Sequence, residues 1–368
     1  MQCDLPIVGM GAVASVGRNA QDMCASIRAG ISRPQPLDYY FSLDPDTKDL
    51  VPVSGHAVTA LTEGFLLFGA WQRLARAAMD DLYRRANLPP ANEKHFWDNT
   101  ALICVLPVLN EDRFQSEVSN APSAVKELFF GPLASYCGIT VDHPGNIISY
   151  NGHAGYCEAV QRSNTLISSG NADRVLILGV DSYLDSFCLE WLDTNFRLKS
   201  GESPTGLAPG EAAACVLLEA RASAENRRAL IAGSITSVSL EQDCGFDAPN
   251  QEESGRGLAA VMNQTFGATE NRYIELLTDQ NGETWRAIQL SNARLRLSAL
   301  RQVEVNISMP FASTGEIGAA WGPLATIFAV HNFQRGITSG SMIVATASSE
   351  SGMVGAWSIA RTSRDQAA

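Results

Sequence analysis

Ser149-Tyr150-Asn151-Gly152-His153-Ala154-Gly155-Tyr156-Cys157 is the stretch on which the reading of this chain turns. Residues 146–150 read as a short strand, and residues 154–169 read as a helix with Gly170 placed just past its end. Between them lies a turn of small residues carrying one imidazole. A side chain at such a junction meets the unpaired N–H groups and the positive end of the following helix. The identity of the residue there decides what the junction can do.

Outward from that junction the chain alternates strand-like and helix-like segments. Toward the N-terminus, residues 5–13 form an apolar run broken by glycines, a buried strand. Residues 20–29 read as a short helix stopped by Gly30. Residues 63–86 read as a long helix with Leu66, Ala70, Leu74, Ala78 and Leu82 on one face. Residues 100–108 are a further strand. Toward the C-terminus, 174–180 and 212–219 are continuous apolar strands, as expected where both faces are covered. The second half repeats the theme, with strands over 229–240, 273–278 and 303–307 and helices over 255–266, 284–300 and 318–332. Residues 341–348 and 356–361 look like a closing strand pair. This order predicts α/β layers around a mostly parallel sheet, in two related halves, 1–220 and 221–368, divided at the charged stretch 221–228. Residues 31–60 and 109–145, punctuated by Pro and Asp, read as insertions or caps.

Composition removes several function classes. The formal net charge of −12, with no Lys/Arg cluster, repels phosphate backbones and anionic lipid, which argues against nucleic-acid and membrane partners. No apolar run reaches transmembrane length, and Met1-Gln2-Cys3-Asp4 lacks the basic start of a signal peptide, so a cytoplasmic protein is expected. The eight cysteines are scattered without a C-x-x-C pair, which argues against a metal site and suits a reducing compartment. The glycines from Gly9 to Gly17 are not spaced as a dinucleotide fingerprint, so no nucleotide cofactor is expected; tight packing of the first strand into a turn explains them better. Glu211, in Gly206-Leu207-Ala208-Pro209-Gly210-Glu211-Ala212-Ala213-Ala214, is a lone carboxylate at a strand start. It is suited to accept backbone N–H groups and pin a loop.

Four segments in this order carry a family resemblance. They are Val8-Gly9-Met10-Gly11-Ala12-Val13 through Gly17, Ser169-Gly170-Asn171-Ala172-Asp173-Arg174-Val175-Leu176-Ile177-Leu178-Gly179, the Pro209-Gly210-Glu211-Ala212 block, and Ser313-Thr314-Gly315-Glu316-Ile317-Gly318-Ala319-Ala320. The chain resembles the β-ketoacyl-acyl-carrier-protein synthases of the thiolase-like group, most strongly over residues 150–220. The resemblance implies a five-layered αβαβα thiolase fold of two related halves and a homodimer with its active site near the interface. It also implies a catalytic set of one cysteine and two histidines. The cysteine stands at a helix N-terminus and takes up the acyl group; the histidines serve decarboxylation and the developing oxyanion.

None of the three stands at its usual place. Counting back from Gly170, the cysteine position is His153, and the nearest thiol, Cys157, lies one helical turn further on. The first histidine position maps to Asn281 and the second to Glu316. Among the five histidines, His56, His95, His143, His153 and His331, none restores the set. The segment Ser348-Ser349-Glu350-Ser351-Gly352-Met353-Val354-Gly355-Ala356 stands where the resemblance implies a Gly-Phe-Gly-Gly loop, so the phenylalanine gate is missing as well. His153 can act as a base, bind a ligand or fill a vestigial pocket; Cys157 can accept an acyl group or pack as a small hydrophobe.

The expectation is therefore a ketosynthase-like protein without condensing activity, an accessory partner. Two precedents within the resemblance are chain-length factors, which pair with an active synthase, and the thiolase-like proteins that accompany secretion effectors. The alternative is an acyltransferase or thioesterase using His153 with Glu316 or Cys157. Expected partners are a second copy or a related synthase, with an acyl chain or acyl-carrier protein as further candidates.

Overall fold

The computed structural model describes residues 1–114, 121–247, 253–267, 273–301, 303–338 and 340–362. Twelve strands are described: β1 (Gln2–Ala14), β2 (Gln35–Leu43), β3 (Leu50–Gly55), β4 (Thr100–Val105), β5 (Ile147–Ser149), β6 (Arg174–Ser182), β7 (Glu211–Glu219), β8 (Gly233–Gln242), β9 (Tyr273–Leu277), β10 (Glu304–Ser308), β11 (Met342–Ser348) and β12 (Met353–Ala360). The principal helices are α1 (Ala20–Arg28), α2 (Phe68–Ala86), α3 (Gly155–Ser168), α4 (Ser186–Thr194), α5 (Arg256–Phe266), α6 (Thr284–Leu300) and α7 (Trp321–Gln334).

Ten of the strands form one sheet in the order β10-β9-β11-β12-β8-β1-β7-β6-β4-β5. The sheet divides into two blocks of the same design. In each, the first strand pairs antiparallel with the last, the last pairs antiparallel with the fourth, and the fourth, second and third run parallel. The blocks join through β1 and β8, where Leu5 faces Ile235 and Ile7 faces Gly233. The expectation of a mostly parallel sheet is corrected: the sheet is mixed. One cause is the short link over residues 349–352, which can only return β12 as an antiparallel neighbour of β11.

α3 and α7 run between the blocks and touch strands of both. α7 is buried at every residue from Trp321 to Phe333, the signature of a helix with no solvent face. Each fully buried Leu, Ile or Phe on it contributes roughly 1.5–3 kcal/mol. The two helices meet at Gly322, where an added Cβ would run into Tyr156. α2 covers the outer face of the first block, and α5 with α6 covers the outer face of the second. The layers are thus α, β, α, β, α, the five-layered arrangement expected.

Local differences have local causes. The second helix starts at Phe68, so Leu66 lies in the preceding loop and is 66% exposed. Gly9 and Gly11 serve the approach of α2 onto β1, since a Cβ on Gly11 would collide with the Ala78 carbonyl; only Gly17 serves the turn. The segment 31–60 carries a separate β2–β3 hairpin. In the segment 109–145, short helical pieces run from Ala121 to Cys137, and residues 115–120 lie outside the described residues. The closing strand begins at Met353, three residues earlier than its apolar pattern suggests. No helix among the described residues is long and apolar enough to cross a membrane.

Candidate functional site

Before α3 the chain makes a single 3-10 turn, Gly152–Ala154, which sets His153 at the helix entrance. His153 is 3% exposed. Its Nε2 lies 2.8 Å from Oε1 of Glu316. Glu316 also accepts the Gly318 N–H at 2.7 Å on Oε1 and the Asn281 amide at 2.5 Å on Oε2. His153, Glu316 and Asn281, far apart in the sequence, are thus brought into one hydrogen-bonded chain. Burial by itself would hold the Glu316 carboxyl protonated. The His153 charge and hydrogen bond, then Arg286 and the Gly318 N–H, overcome it and draw its pKa far below the carboxylate range.

Sequence reasoning missed the rest of the cluster. Arg286, in the first turn of α6 and 1% exposed, donates to Asp279 Oδ2 at 2.7 Å and to the Ser348 carbonyl at 2.6 Å. Its Nη2 lies 3.5 Å from both ring nitrogens of His153. Asn281 reaches Glu283 at 2.8 Å, and Glu283 grips Arg197 in a two-pronged pair at 2.6 and 3.1 Å. Arg197 continues to Glu350 at 2.7 Å. Beside this chain, Arg113 pairs with Asp181 at 2.6 Å, and Asp181 accepts the Ala319 N–H at 3.2 Å. Three guanidiniums and five carboxylates therefore surround one imidazole. A signal for Arg286 existed: it lies on the α6 face that carries Leu290, Ala293 and Leu297, at spacings of one helical face. A charge on that stripe needs a buried partner.

The segment 348–350 is part of the same construction. Ser348 receives Arg286, Ser349 takes the Ala154 N–H at 2.9 Å and donates to the Asn151 carbonyl, and Glu350 holds Arg197. Cys157 is absent from it. Its thiol is fully buried, lies against Gly355 of β12, and burial pushes its pKa well above the usual thiol value. That environment keeps the sulfur protonated and away from solvent.

The glycine blocks named in the sequence hold this site in place. Gly210 lies so close to the Thr314 carbonyl that a Cβ would come within 2.5 Å. The Ala208 carbonyl accepts the Glu316 N–H at 2.8 Å, which clamps the two segments side by side. Glu211 accepts the Val58 N–H at 2.8 Å and the hydroxyls of Thr62 and Ser182, tying the 58–62 loop to β7. Among the described residues no group of three His, Cys, Asp or Glu side chains is arranged to hold a metal ion.

Chemically, the arrangement offers an imidazole–carboxylate pair with every Glu316 oxygen occupied. His153, Asn281, Glu283, Arg286 and Glu316 are each no more than 4% exposed. Ion pairs fill the volume at the helix entrance.

No protein-family model matches this sequence. No curated protein matches it either. Solved structures do. A ketosynthase from module 6 of the bacillaene synthase of Bacillus subtilis 168 superposes with a TM-score of 0.76 at 13% identity, covering 98% of this chain and 72% of that one. A β-ketoacyl synthase from Burkholderia phymatum STM815 gives 0.72 at 14% identity, covering 98% and 100%. The ishigamide ketosynthase/chain length factor gives 0.74 at 16% identity, again covering 98% and 100%. The chain therefore has the thiolase-like fold of the ketosynthases over nearly its whole length.

Proposed function

We propose that this protein is a ketosynthase-like partner without condensing activity, built from halves 1–220 and 221–368 and working beside an active synthase or a secreted effector. The observation that carries the reading is the junction itself. Where the resemblance calls for an accessible thiol, the chain has His153, sealed by Glu316 and Arg286. A condensing site needs room for an acyl chain and a reactive sulfur; ion pairs occupy that room. One of the similar structures is itself a ketosynthase/chain length factor assembly, which fits a role in a pair. Among the described residues β5 is hydrogen-bonded to a strand on one side only, which suits extension of the sheet into a second copy or a related synthase. An acyl chain or acyl-carrier protein would then be bound by the pair.

A second reading rests on the 2.8 Å His153–Glu316 contact, which is the geometry of a general-base dyad. It would make the protein an acyltransferase or thioesterase. Access is what this reading lacks, since both side chains are 4% exposed. One experiment separates the two: incubation with acyl-CoA and acyl-carrier protein, read by intact mass and by malonyl decarboxylation. The accessory reading expects no adduct and no turnover, and a mass consistent with a dimer in analytical ultracentrifugation. An acyl adduct lost in Cys157→Ala, or turnover lost in His153→Ala, would overturn it.

A further inference from the structure

At the edge of the second block, the inner faces of β9 and β10, the end of α1 and the end of α7 line a cavity of ≈ 450 Å³ that opens to solvent. None of its lining residues belongs to the His153 cluster, and the inference stands apart from the question of condensing activity.

Two polar side chains that line this cavity carry a buried atom without a hydrogen-bond partner, and a carboxylate stands beside them. Arg28 makes no ion pair among the described residues, and its Nη1 is buried without a hydrogen-bond partner. Asn332, 2% exposed, leaves Oδ1 buried and without a donor. Glu275, half-buried on β9, lines the same cavity and makes no ion pair among the described residues. Ile27, Phe328 and Ile337 give the cavity an apolar side, while Asn306, Ser308, Ser313 and Thr338 also line it. A guanidinium left without an acceptor and a buried carboxamide oxygen left without a donor both cost stability unless a bound molecule completes them.

Their chemistry is complementary to one kind of ligand. Arg28 presents the planar fork that binds a carboxylate through two parallel bonds. Glu275 and Asn332 Oδ1 are acceptors, and an ammonium group carries three donors and a positive charge to match them. The volume falls within the roughly 300–1,000 Å³ of small-ligand sites. We infer that this cavity binds a small zwitterion with an apolar body: an α-amino acid with a hydrocarbon side chain. Its carboxylate lies on Arg28, its ammonium group on Glu275 and Asn332, and its side chain against Phe328.

The test is isothermal titration of the dialysed full chain with leucine and with phenylalanine. Two analogues of leucine serve as controls: 4-methylpentanoate, which lacks the amine, and isoamylamine, which lacks the carboxylate. One amino acid should bind at one site per chain, at least about tenfold more tightly than either analogue. Arg28→Ala and Glu275→Gln should each weaken it by about tenfold or more with an unchanged circular dichroism spectrum. Should Arg28→Ala lose its fold, the nearly isosteric Glu275→Gln decides. Absence of heat with both amino acids at millimolar concentration overturns the inference. So does equal binding of 4-methylpentanoate, or binding that survives both substitutions.

Discussion

The two halves enter their central helices in the same way and fill the entrance differently. Gly152–Ala154 leads into α3, and Gly318–Ala320 leads into α7; both are 3-10 turns opened by a glycine in the left-handed region, at φ +55° and +48°. The middle residue of the first turn is His153, hydrogen-bonded to Glu316 and 3.5 Å from Arg286 Nη2. The middle residue of the second is Ala319, whose carbonyl leaves no room for a Cβ on Gly179 and whose N–H is taken by Asp181. The backbone thus repeats while the chemistry does not. The first entrance places an ionisable side chain inside the cluster, the second only backbone N–H groups that Glu316 and Asp181 accept, and the two should fail in different ways.

Breaking the charge cluster at the first entrance should have the largest effect. Arg286→Met removes a cation from Asp279 and from the Glu316–His153 pair at once, and should cost about 3–5 kcal/mol, read from urea denaturation, because buried carboxylates lose their partner. Gly318→Ala attacks the second entrance. Its Cβ would land on Asp181 Oδ2 at a φ of +48°, and a loss of about 2–3 kcal/mol is expected, seen as a lower Tm.

Glu316→Gln sharpens the comparison through pH. A carboxyl whose folded pKa is depressed adds stability that is present above its unfolded value, 4.5, and is lost as pH falls below it. The acid limb of the wild-type stability curve should therefore be steeper below pH 4.5 than that of Glu316→Gln, with the two curves converging as the pH drops. Equal limbs would mean that the carboxylate is not held by the cluster. Cys157→Ala should have the smallest effect, about 1 kcal/mol from one lost contact in an apolar layer, with the acid limb unchanged.

The strand–helix order was legible because each apolar run has a period, and the buried ones have no polar interruptions. That His153, Asn281 and Glu316 share one site was legible because the glycine blocks around them fixed their places in the chain. Arg197, Asp279, Glu283 and Glu350 were not. Each stands in an ordinary polar context, and only the packing of segments up to 153 residues apart makes them partners. The mixed sheet also escaped, since strand direction depends on connection length rather than on the apolar pattern. Leu66 matched a helical face by spacing alone, which takes no account of where a helix begins.

The charge cluster has a consequence for how the chain must fold. Its members are Arg113, His153, Asp181, Arg197, Asp279, Glu283, Arg286, Glu316 and Glu350, so no fragment shorter than residues 113–350 contains the complete set. Until the last of the segments carrying them docks, the others would hold uncompensated charge in an apolar interior, a state that water and the open chain both outcompete. Closure of the centre is therefore a late, all-or-none event that requires contacts of high sequence separation, which makes for slow and cooperative assembly. Truncation anywhere before residue 350 should leave a chain that collapses around its strands but does not lock.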